Sequence, residues 1–332
     1  MRVGSFRDGD GRLRLAVALD EKRVLDVGAA MEALSQLSPR APDDAAAGLL
    51  SGAPLTFGWL TPEGLAAIRS VVKASTKLKQ EAPVILPMAG LTLGAPVSNP
   101  GKFIAGGLNY LDHVEEAAHL LFKAGETYEK PKYPPGFIRF ASSITSHDQP
   151  IFEPPGLHDV DYEIELCVVI GTHAERVSRE EALKYVAGYT ICNDLATRAI
   201  QFEEMNKGIG IVVGKNFRSF APLGPWMTTA DEIPDPQKLE MKLTVNGGTR
   251  QHGTTAKMIF TVAELVSYYS LFGLEPGDLI ITGTPAGPAA GRPNPEAFYL
   301  KPGDVVEAYI EKIGVLRNPV AASESAPRGR AK

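Results

Sequence analysis

A chain of 332 residues with 44% hydrophobic and 22% charged side chains has ordinary globular composition and enough length for one large domain or two unequal ones. Its 34 basic and 39 acidic residues leave a formal net charge of -5, with the most basic stretch at the terminal Arg328, Arg330 and Lys332, so no phosphate-binding stripe is present and nucleic acid is not expected as a partner. No apolar run is long enough to cross a bilayer, and Met1-Arg2-Val3-Gly4 lacks a signal-peptide core; with Cys167 and Cys192 alone in apolar runs, buried reduced thiols, a cytoplasmic location and no membrane partner are expected.

The first part reads as a small α/β unit. Val3 to Phe6, Leu13 to Leu19 and Lys22 to Val27 have strand character, with Asp8-Gly9-Asp10-Gly11 as a hairpin turn. A helix from about Asp26 to Leu37 follows. Thr61 and Pro62 form a cap and first position for another, running to Thr76. The Ala-rich stretch from Pro42 to Ala53 has no clear period. Pro96, Asn99, Pro100 and Gly101 mark a joint, giving a small N-terminal α/β domain over residues 1–95.

Beyond the joint, strands dominate. The candidates are Lys102 to Ala105, Glu163 to Ile170, Gly188 to Asn193, Lys238 to Val245, Asp278 to Thr282 and Asp304 to Ile310. Two near-identical turns, Leu274-Glu275-Pro276-Gly277-Asp278 and Leu300-Lys301-Pro302-Gly303-Asp304, each precede a strand and suggest repeated turn chemistry. Tyr110 to Ala124 reads as a helix. Ser178-Arg179-Glu180-Glu181 has the spacing of a capping box for a helix to Val186. Thr261 to Leu271 is amphipathic through Val262, Leu265, Val266 and Tyr269. From Ala321 the small polar tail is expected to be disordered. The main domain thus covers residues 96–320 and the tail 321–332, in an α+β, mixed β-rich chain.

The most informative segment is Asp161-Tyr162-Glu163-Ile164-Glu165-Leu166-Cys167. Strand side chains alternate, so Glu163 and Glu165 share a face and repel unless a cation, a proton or water intervenes. Asp194 ends the later apolar run from Ala187 and could meet them. Three carboxylates without a Cys or His ligand form a hard oxygen site suited to Mg²⁺ or Mn²⁺. Spacing alone leaves a second reading open, in which the two glutamates line a solvated strand edge and Asp194 caps a turn.

Five motifs in order add to this. Val160-Asp161-Tyr162-Glu163-Ile164-Glu165-Leu166, Asn193-Asp194 through Arg198 and Gln201, Gly214-Lys215-Asn216-Phe217 through Trp226, Ile281-Thr282-Gly283-Thr284-Pro285-Ala286-Gly287 and Gly107-Leu108-Asn109-Tyr110 through Glu116 resemble the fumarylacetoacetate hydrolase family over roughly two thirds of the chain. The resemblance implies a β-roll-like mixed fold and a homodimer. It also implies a divalent metal, Mg²⁺ or Mn²⁺ with Ca²⁺ able to substitute, on Glu163, Glu165 and Asp194. Two departures stand out. Ala199 replaces an acid of the second motif, and the loop Pro288 to Pro293 differs from the commoner G-V-G continuation; both would reshape the substrate end of a pocket.

His113 and Glu116 are three apart and can pair on one helix face, either as an incidental pair on a polar face or with the carboxylate orienting the ring as a base toward water. With the resemblance, they become a dyad on a lid helix, with Glu129 to Gly136 as its return loop. Lys215 is expected to stabilise an oxyanion, and Thr284 to offer a hydroxyl to a carboxylate or enolate. Gly208 to Gly214 is not a P-loop, since Ile209 stands at the first glycine position and Asn216 at the Ser/Thr position. Asn109, Tyr110, Arg139, Arg198 and Gln201 complete the expected substrate contacts, Arg139 at the far end of the substrate; Arg198 alternatively partners Glu203 or Glu204 at the surface. The activity so implied is hydrolytic C–C cleavage of a 2,4-dioxo acid such as an acylpyruvate or fumarylpyruvate, chelated to the metal and cleaved through its enolate. Oxaloacetate decarboxylation or oxo-acid tautomerisation at the same site is the nearest alternative, and a silent binding protein of the same fold a more distant one.

Overall fold

The computed structural model describes residues 1–37, 44–78, 84–118, 128–208 and 210–322. In the N-terminal part β1 (Arg2–Arg7), β2 (Leu13–Ala18) and β3 (Arg23–Asp26) form a meander, followed by α1 (Val27–Leu37), α2 (Asp44–Leu50) and α3 (Pro62–Ser75). The hairpin turn forms because the Asp8 carboxylate accepts the backbone N–H of Asp10 and Arg12, with Gly11 at φ +77°. Thr61 caps α3 by accepting the Gly64 N–H at 3.1 Å, as its sequence predicts. Strands β4 (Ile85–Pro87) and β5 (Thr92–Gly94) complete this part.

These strands extend the main sheet. β1 pairs antiparallel with a later strand through Arg2↔Thr228 and Val3↔Met227. After β6 (Phe103–Gly106) come α4 (Leu111–Glu116), β7 (Gly136–Ile138), β8 (Ile144–Thr145), β9 (Ile151–Glu153) and β10 (Val160–Asp161). Then follow β11 (Ile164–Ile170), β12 (Val186–Asn193), β13 (Ala196–Thr197), α5 (Arg198–Asn206) and β14 (Ala221–Thr229). The chain finishes with β15 (Glu240–Val245), β16 (Gly248–Thr254), α6 (Val262–Tyr269), β17 (Leu279–Ile281), β18 (Val305–Ile310) and β19 (Gly314–Ala322). The large sheet runs β4-β3-β2-β1-β14-β12-β11-β17-β6-β7, and a second sheet runs β16-β15-β18-β19-β9.

β11 is central and buried along its whole length. Its alternation feeds two cores. Ile164, Leu166, Val168 and Ile170 pack with Met241, Leu243 and Ile310 of the second sheet, while Cys167 and Val169 face the cluster built on β1 to β3 and α3. Glu163 and Glu165 belong to the latter face, at its end. Cys167 and Cys192 are buried free thiols, as expected. The two repeated turns have one geometry: Asp278 accepts the N–H of Glu275 and Asp304 that of Lys301, each at 2.8 Å, with Gly277 and Gly303 at φ +90° and +99°.

Three expectations need correction. Ser178 to Val186 is not an α-helix; only Ala182–Tyr185 forms a 3-10 turn, because Val186 must already pair with Ile170 across the sheet. The helix from Tyr110 ends at Glu116, with Ala117 turned, and residues 119–124 of that expectation lie outside the described residues. Ala321 and Ala322 belong to β19, where they pair with Phe152 and Glu153, and so are part of a strand rather than of the tail; residues 323–332 lie outside the described ones. The stretch Pro42 to Ala53 contains α2, with Pro42 and Asp43 outside the described residues. β14 carries Pro222, Gly224 and Pro225 and has no strand signature in sequence; its pairing with β12 shifts register between Tyr189 and Ile191, which absorbs them.

Because β11 supports both cores, truncation there is costly. Leu166→Ala is expected to destabilise the protein by about 2–5 kcal/mol, read as a drop in thermal midpoint. A midpoint within the error of wild type would show that this strand is not where the two layers are held together.

Candidate active site

Glu163 precedes β11, Glu165 lies in it and Asp194 follows β12. The register Ile164↔Asn193 and Glu165↔Cys192 brings the three together. Two further bonds lock the junction: Glu163 N–H donates to the Asn193 side-chain oxygen at 3.0 Å, and Asp194 N–H to the Glu163 carbonyl at 2.8 Å. One oxygen of each carboxylate lies within 4.8 Å of the others, and all three are buried. The solvated-edge reading of these acids is therefore excluded.

So much buried negative charge needs compensation. Arg198 donates to Asp161 at 2.8 Å, to Glu163 at 2.6 Å and to the Gln201 side-chain oxygen at 2.7 Å. Lys215 Nζ donates to Glu163 at 2.5 Å, to the Asp194 carboxylate at 2.7 Å and to the Asp194 carbonyl at 2.9 Å. Arg139 pairs with the other Asp194 oxygen. Four carboxylates thus meet three cations. Glu165 is the one left without a cation in hydrogen-bond contact among the described residues; it accepts the Gly283 N–H at 2.6 Å.

The titration behaviour follows. Burial alone would raise the Glu163 carboxyl, but the charges of Arg198 and Lys215 outweigh it and hold the group well below the usual range. Burial, then the charges of Asp194 and Glu163, push Glu165 well above its usual range. An oxygen-only donor set with one uncompensated carboxylate, accessible from a cavity, fits a hard divalent cation.

That cavity has a volume of about 240 Å³. Its walls include the three acids, His113, Arg198, Gln201, Lys215 and Thr284. His113 stands on α4 with Nδ1 buried, without a hydrogen-bond partner among the described residues and 3.9 Å from Glu116 Oε2. Glu116 is in turn held by the Gly287 N–H at 2.8 Å. A Cβ on Gly291 would come within 2.8 Å of Glu116 Oε2, so glycine leaves the carboxylate its place. The Pro288–Pro293 loop therefore does reach the pocket, through Ala290 and Gly291. Ala199 does not; it is exposed, donating its N–H to Asp159.

Three expected substrate contacts lie behind the wall instead. Asn109 pins backbone, accepting the Phe260 N–H at 2.7 Å and donating to the Phe260 and Thr282 carbonyls at 2.9 and 2.8 Å. Tyr110 is fully buried, its hydroxyl against the Met241 sulfur. Arg139 supports Asp194 from the back rather than reaching the far end of the pocket. The surface pairing of Arg198 with Glu203 or Glu204 is also overturned, since the guanidinium is buried between Asp161 and Glu163.

Sequence reasoning missed three supporting residues. Asp161 accepts the N–H groups of Ala289 and Ala290 at 2.8 and 2.9 Å as well as Arg198; it stands two before Glu163, so the same alternation that paired the glutamates could have found it. Gln251 accepts the Ile164 N–H and donates to the Thr284 hydroxyl at 2.7 Å, and a glutamine in a polar strand gives no signal. Glu204 accepts the N–H groups of Val212, Val213 and Gly214 at 3.1, 2.6 and 3.1 Å, which fixes the turn presenting Lys215.

A family model described as fumarylacetoacetate (FAA) hydrolase C-terminal matches residues 102–321. The chain belongs to the fumarylacetoacetate hydrolase family. It is 41% identical over 263 residues to a 2,4-didehydro-3-deoxy-L-rhamnonate hydrolase of Sphingomonas sp. (strain SKA58), covering 79% of this chain and 85% of that protein. Among solved structures it resembles the maleylpyruvate hydrolase of Sphingobium sp. SYK-6 in complex with manganese(II) ion and pyruvate, at TM-score 0.70 and 26% identity over 98% of this chain and all of that one. It also resembles the 5-carboxymethyl-2-hydroxymuconate delta-isomerase of Mycobacterium smegmatis, at TM-score 0.68 and 25% identity over 97% of this chain and all of that one. The chain is thus an enzyme of a family whose members include hydrolases and isomerases, and it carries a buried acidic triad fit for a divalent metal. No helix among the described residues is long and apolar enough to cross a membrane.

The two pKa shifts act on stability with opposite sign. Glu163 adds stability above the ordinary glutamate value of 4.5, and the gain fades as pH falls through its lowered folded value. Glu165 favours the folded state below 4.5, and that advantage is lost as pH rises through its raised folded value. In metal-free protein Glu165→Gln is therefore expected to melt above wild type at neutral pH, with the gap closing as pH approaches 4.5. Mn²⁺ should raise the wild-type midpoint and release protons on binding, and lose most of its effect on the variant. A wild type that is indifferent to Mn²⁺ at every pH would rule out a metal on this triad.

Proposed function

We propose that this enzyme hydrolyses a C–C bond of a 2,4-dioxo acid, with Glu163, Glu165 and Asp194 holding Mg²⁺ or Mn²⁺. The observation that carries this reading is the placement of His113, backed by Glu116, on the cavity wall that also exposes the acid triad. A base and a dication site sharing one cavity suit attack by water on a chelating substrate. The substrate named for the Sphingomonas relative supports the same class, since its name places two oxidised carbons, 2 and 4, around a deoxygenated carbon 3.

When bound, the metal supplies a Lewis-acid template for the 2-oxo acid end and offsets the charge of Glu165. The protein's own groups do the rest. With Nδ1 turned to Glu116, His113 has Nε2 free to take a proton from water. The hydroxide adds to carbon 4, the C3–C4 bond breaks with its electron pair passing to carbon 3, and the His113 proton returns to that carbon. The products are a carboxylic acid and pyruvate. Lys215 and Arg198 keep Glu163 ionised, Lys215 also holds Asp194 in place, and both bring positive charge to the side where the three-carbon fragment becomes anionic. Thr284, held by Gln251 and by the Ile164 carbonyl, lines the same end.

His113→Ala is expected to lower kcat by about 10²–10⁴-fold while leaving the Mn²⁺ dissociation constant unchanged in a calorimetric titration. Loss of metal affinity instead would remove the role assigned to this residue. Product analysis separates the competing chemistries: pyruvate plus one equivalent of a second carboxylic acid is expected, whereas CO₂ release, or a shifted double bond without cleavage, would replace hydrolysis by decarboxylation or tautomerisation.

A further inference from the structure

Resting on that reaction, the cavity wall formed by α5 bears on what the substrate carries beyond carbon 4. α5 lines the cavity along one face with Arg198, Gln201, Phe202 and Met205, the i, i+3, i+4, i+7 set that a helix presents together. This face changes character along its length. Its first turn is polar, with Arg198 and Gln201 tied to the triad; its second is apolar. Phe202 and Met205 are joined by Ile211 from the following loop and by Phe137 and Leu108 across the cavity. Met205 is 37% exposed, which puts the apolar end at the mouth.

This wall is supported rather than loose. The Glu204 carboxylate takes three successive N–H groups just beyond Ile211. Gly214 allows the loop to lie against α5, because a Cβ there would stand 2.7 Å from the Gln201 backbone nitrogen. Among the described residues, the Arg and Lys side chains lining the cavity are Arg198 and Lys215, and both pair with the acids at the polar end.

We infer that the enzyme selects acylpyruvates whose acyl group is an uncharged, apolar chain running from the triad along Phe202 toward Met205. A second carboxylate in that position would meet phenyl, thioether and isobutyl-like groups among the described residues and would lose its hydration without a partner. A hydroxylated sugar-acid tail pays a smaller cost of the same kind. From Gln201 to Met205 the helix advances about 6 Å, room for several methylene groups.

Two measurements test this. First, Mn²⁺-loaded protein is titrated calorimetrically with straight-chain 2-oxo acids from pyruvate to 2-oxooctanoate, which cannot be hydrolysed. Affinity is expected to rise about two- to fourfold per added methylene and to level off once the chain passes Met205; affinity that is flat or falls with length overturns the inference, whatever the reaction proves to be. Second, kcat/KM is compared for acetylpyruvate, hexanoylpyruvate, fumarylpyruvate and the 2,4-didehydro-3-deoxy sugar acid. Hexanoylpyruvate should lead by at least about tenfold, and Met205→Arg should reverse its order with fumarylpyruvate. A preference for fumarylpyruvate or the sugar acid in wild type overturns the apolar wall but keeps the hydrolase. Tightening with chain length but no turnover of any of the four overturns the hydrolase and keeps the wall.

Discussion

The whole site depends on three carboxylates that the strand register forces together. Glu163 and Asp194 flank the Ile164↔Asn193 pair, and Glu165 sits one step further along β11. None of them can swing away, because the backbone at this corner is tied by Glu163 to Asn193 and by Asp194 back to Glu163. Charges this close in a buried setting repel strongly, and each unpaired one costs several kcal/mol. The surroundings are built to meet that cost. Arg139 arrives from beside β7, Arg198 from the start of α5 and Lys215 from the turn before β14, three segments far apart in sequence that converge on one point.

This convergence explains features that look unrelated to chemistry. Asp161 serves both Arg198 and the N–H groups of Ala289 and Ala290, so the guanidinium and the loop behind His113's partner share one anchor. Glu204 stiffens the turn that delivers Lys215. Asn109 ties the start of the α4 segment to the carbonyls of Thr282 and Phe260, and Gly283, at φ +87°, lets that loop pass close to Asn109 while giving its N–H to Glu165. Compensation is still one charge short, at Glu165. The deficit leaves the corner fit for a divalent cation rather than a closed salt-bridge network.

How much of this could be read from the chain divides along physical lines. Strand alternation is local, so the shared face of Glu163 and Glu165 was legible from two residues, and so were the cap at Thr61 and the paired turns at Asp278 and Asp304. The motif order carried the family, and with it Asp194. What could not be read was which polar residues face inward. Asn109 and Tyr110 belong to the same motif as His113 yet serve the scaffold, as Arg139 does, because tertiary contacts with Phe260, Thr282, Met241 and Asp194 decide their orientation. Gln251 and Glu204 act through tertiary contacts with no sequence period at all. The capping-box pattern at Ser178 was outweighed by the need for Val186 to join the sheet opposite Ile170, a case of strand pairing overriding a local helix signal.

The acid triad alone does not set the reaction, since any enzyme that stabilises a 2-oxo acid anion could use it. What distinguishes outcomes is the group facing the triad across the cavity and what fixes it. His113 is turned by Glu116, Glu116 by the Gly287 N–H, and the space for that carboxylate by Gly291. Gly291 lies in the Pro288–Pro293 loop that departs from the family pattern, Gly287 directly precedes it, and the same loop is anchored to Asp161 through Ala289 and Ala290. A change there would shift Glu116 beside His113 and the wall of the pocket together while leaving the acid triad untouched. Variation among relatives between hydrolysis and isomerisation is therefore expected to concentrate in this loop and along the apolar turn of α5, not in the strands that carry the acids.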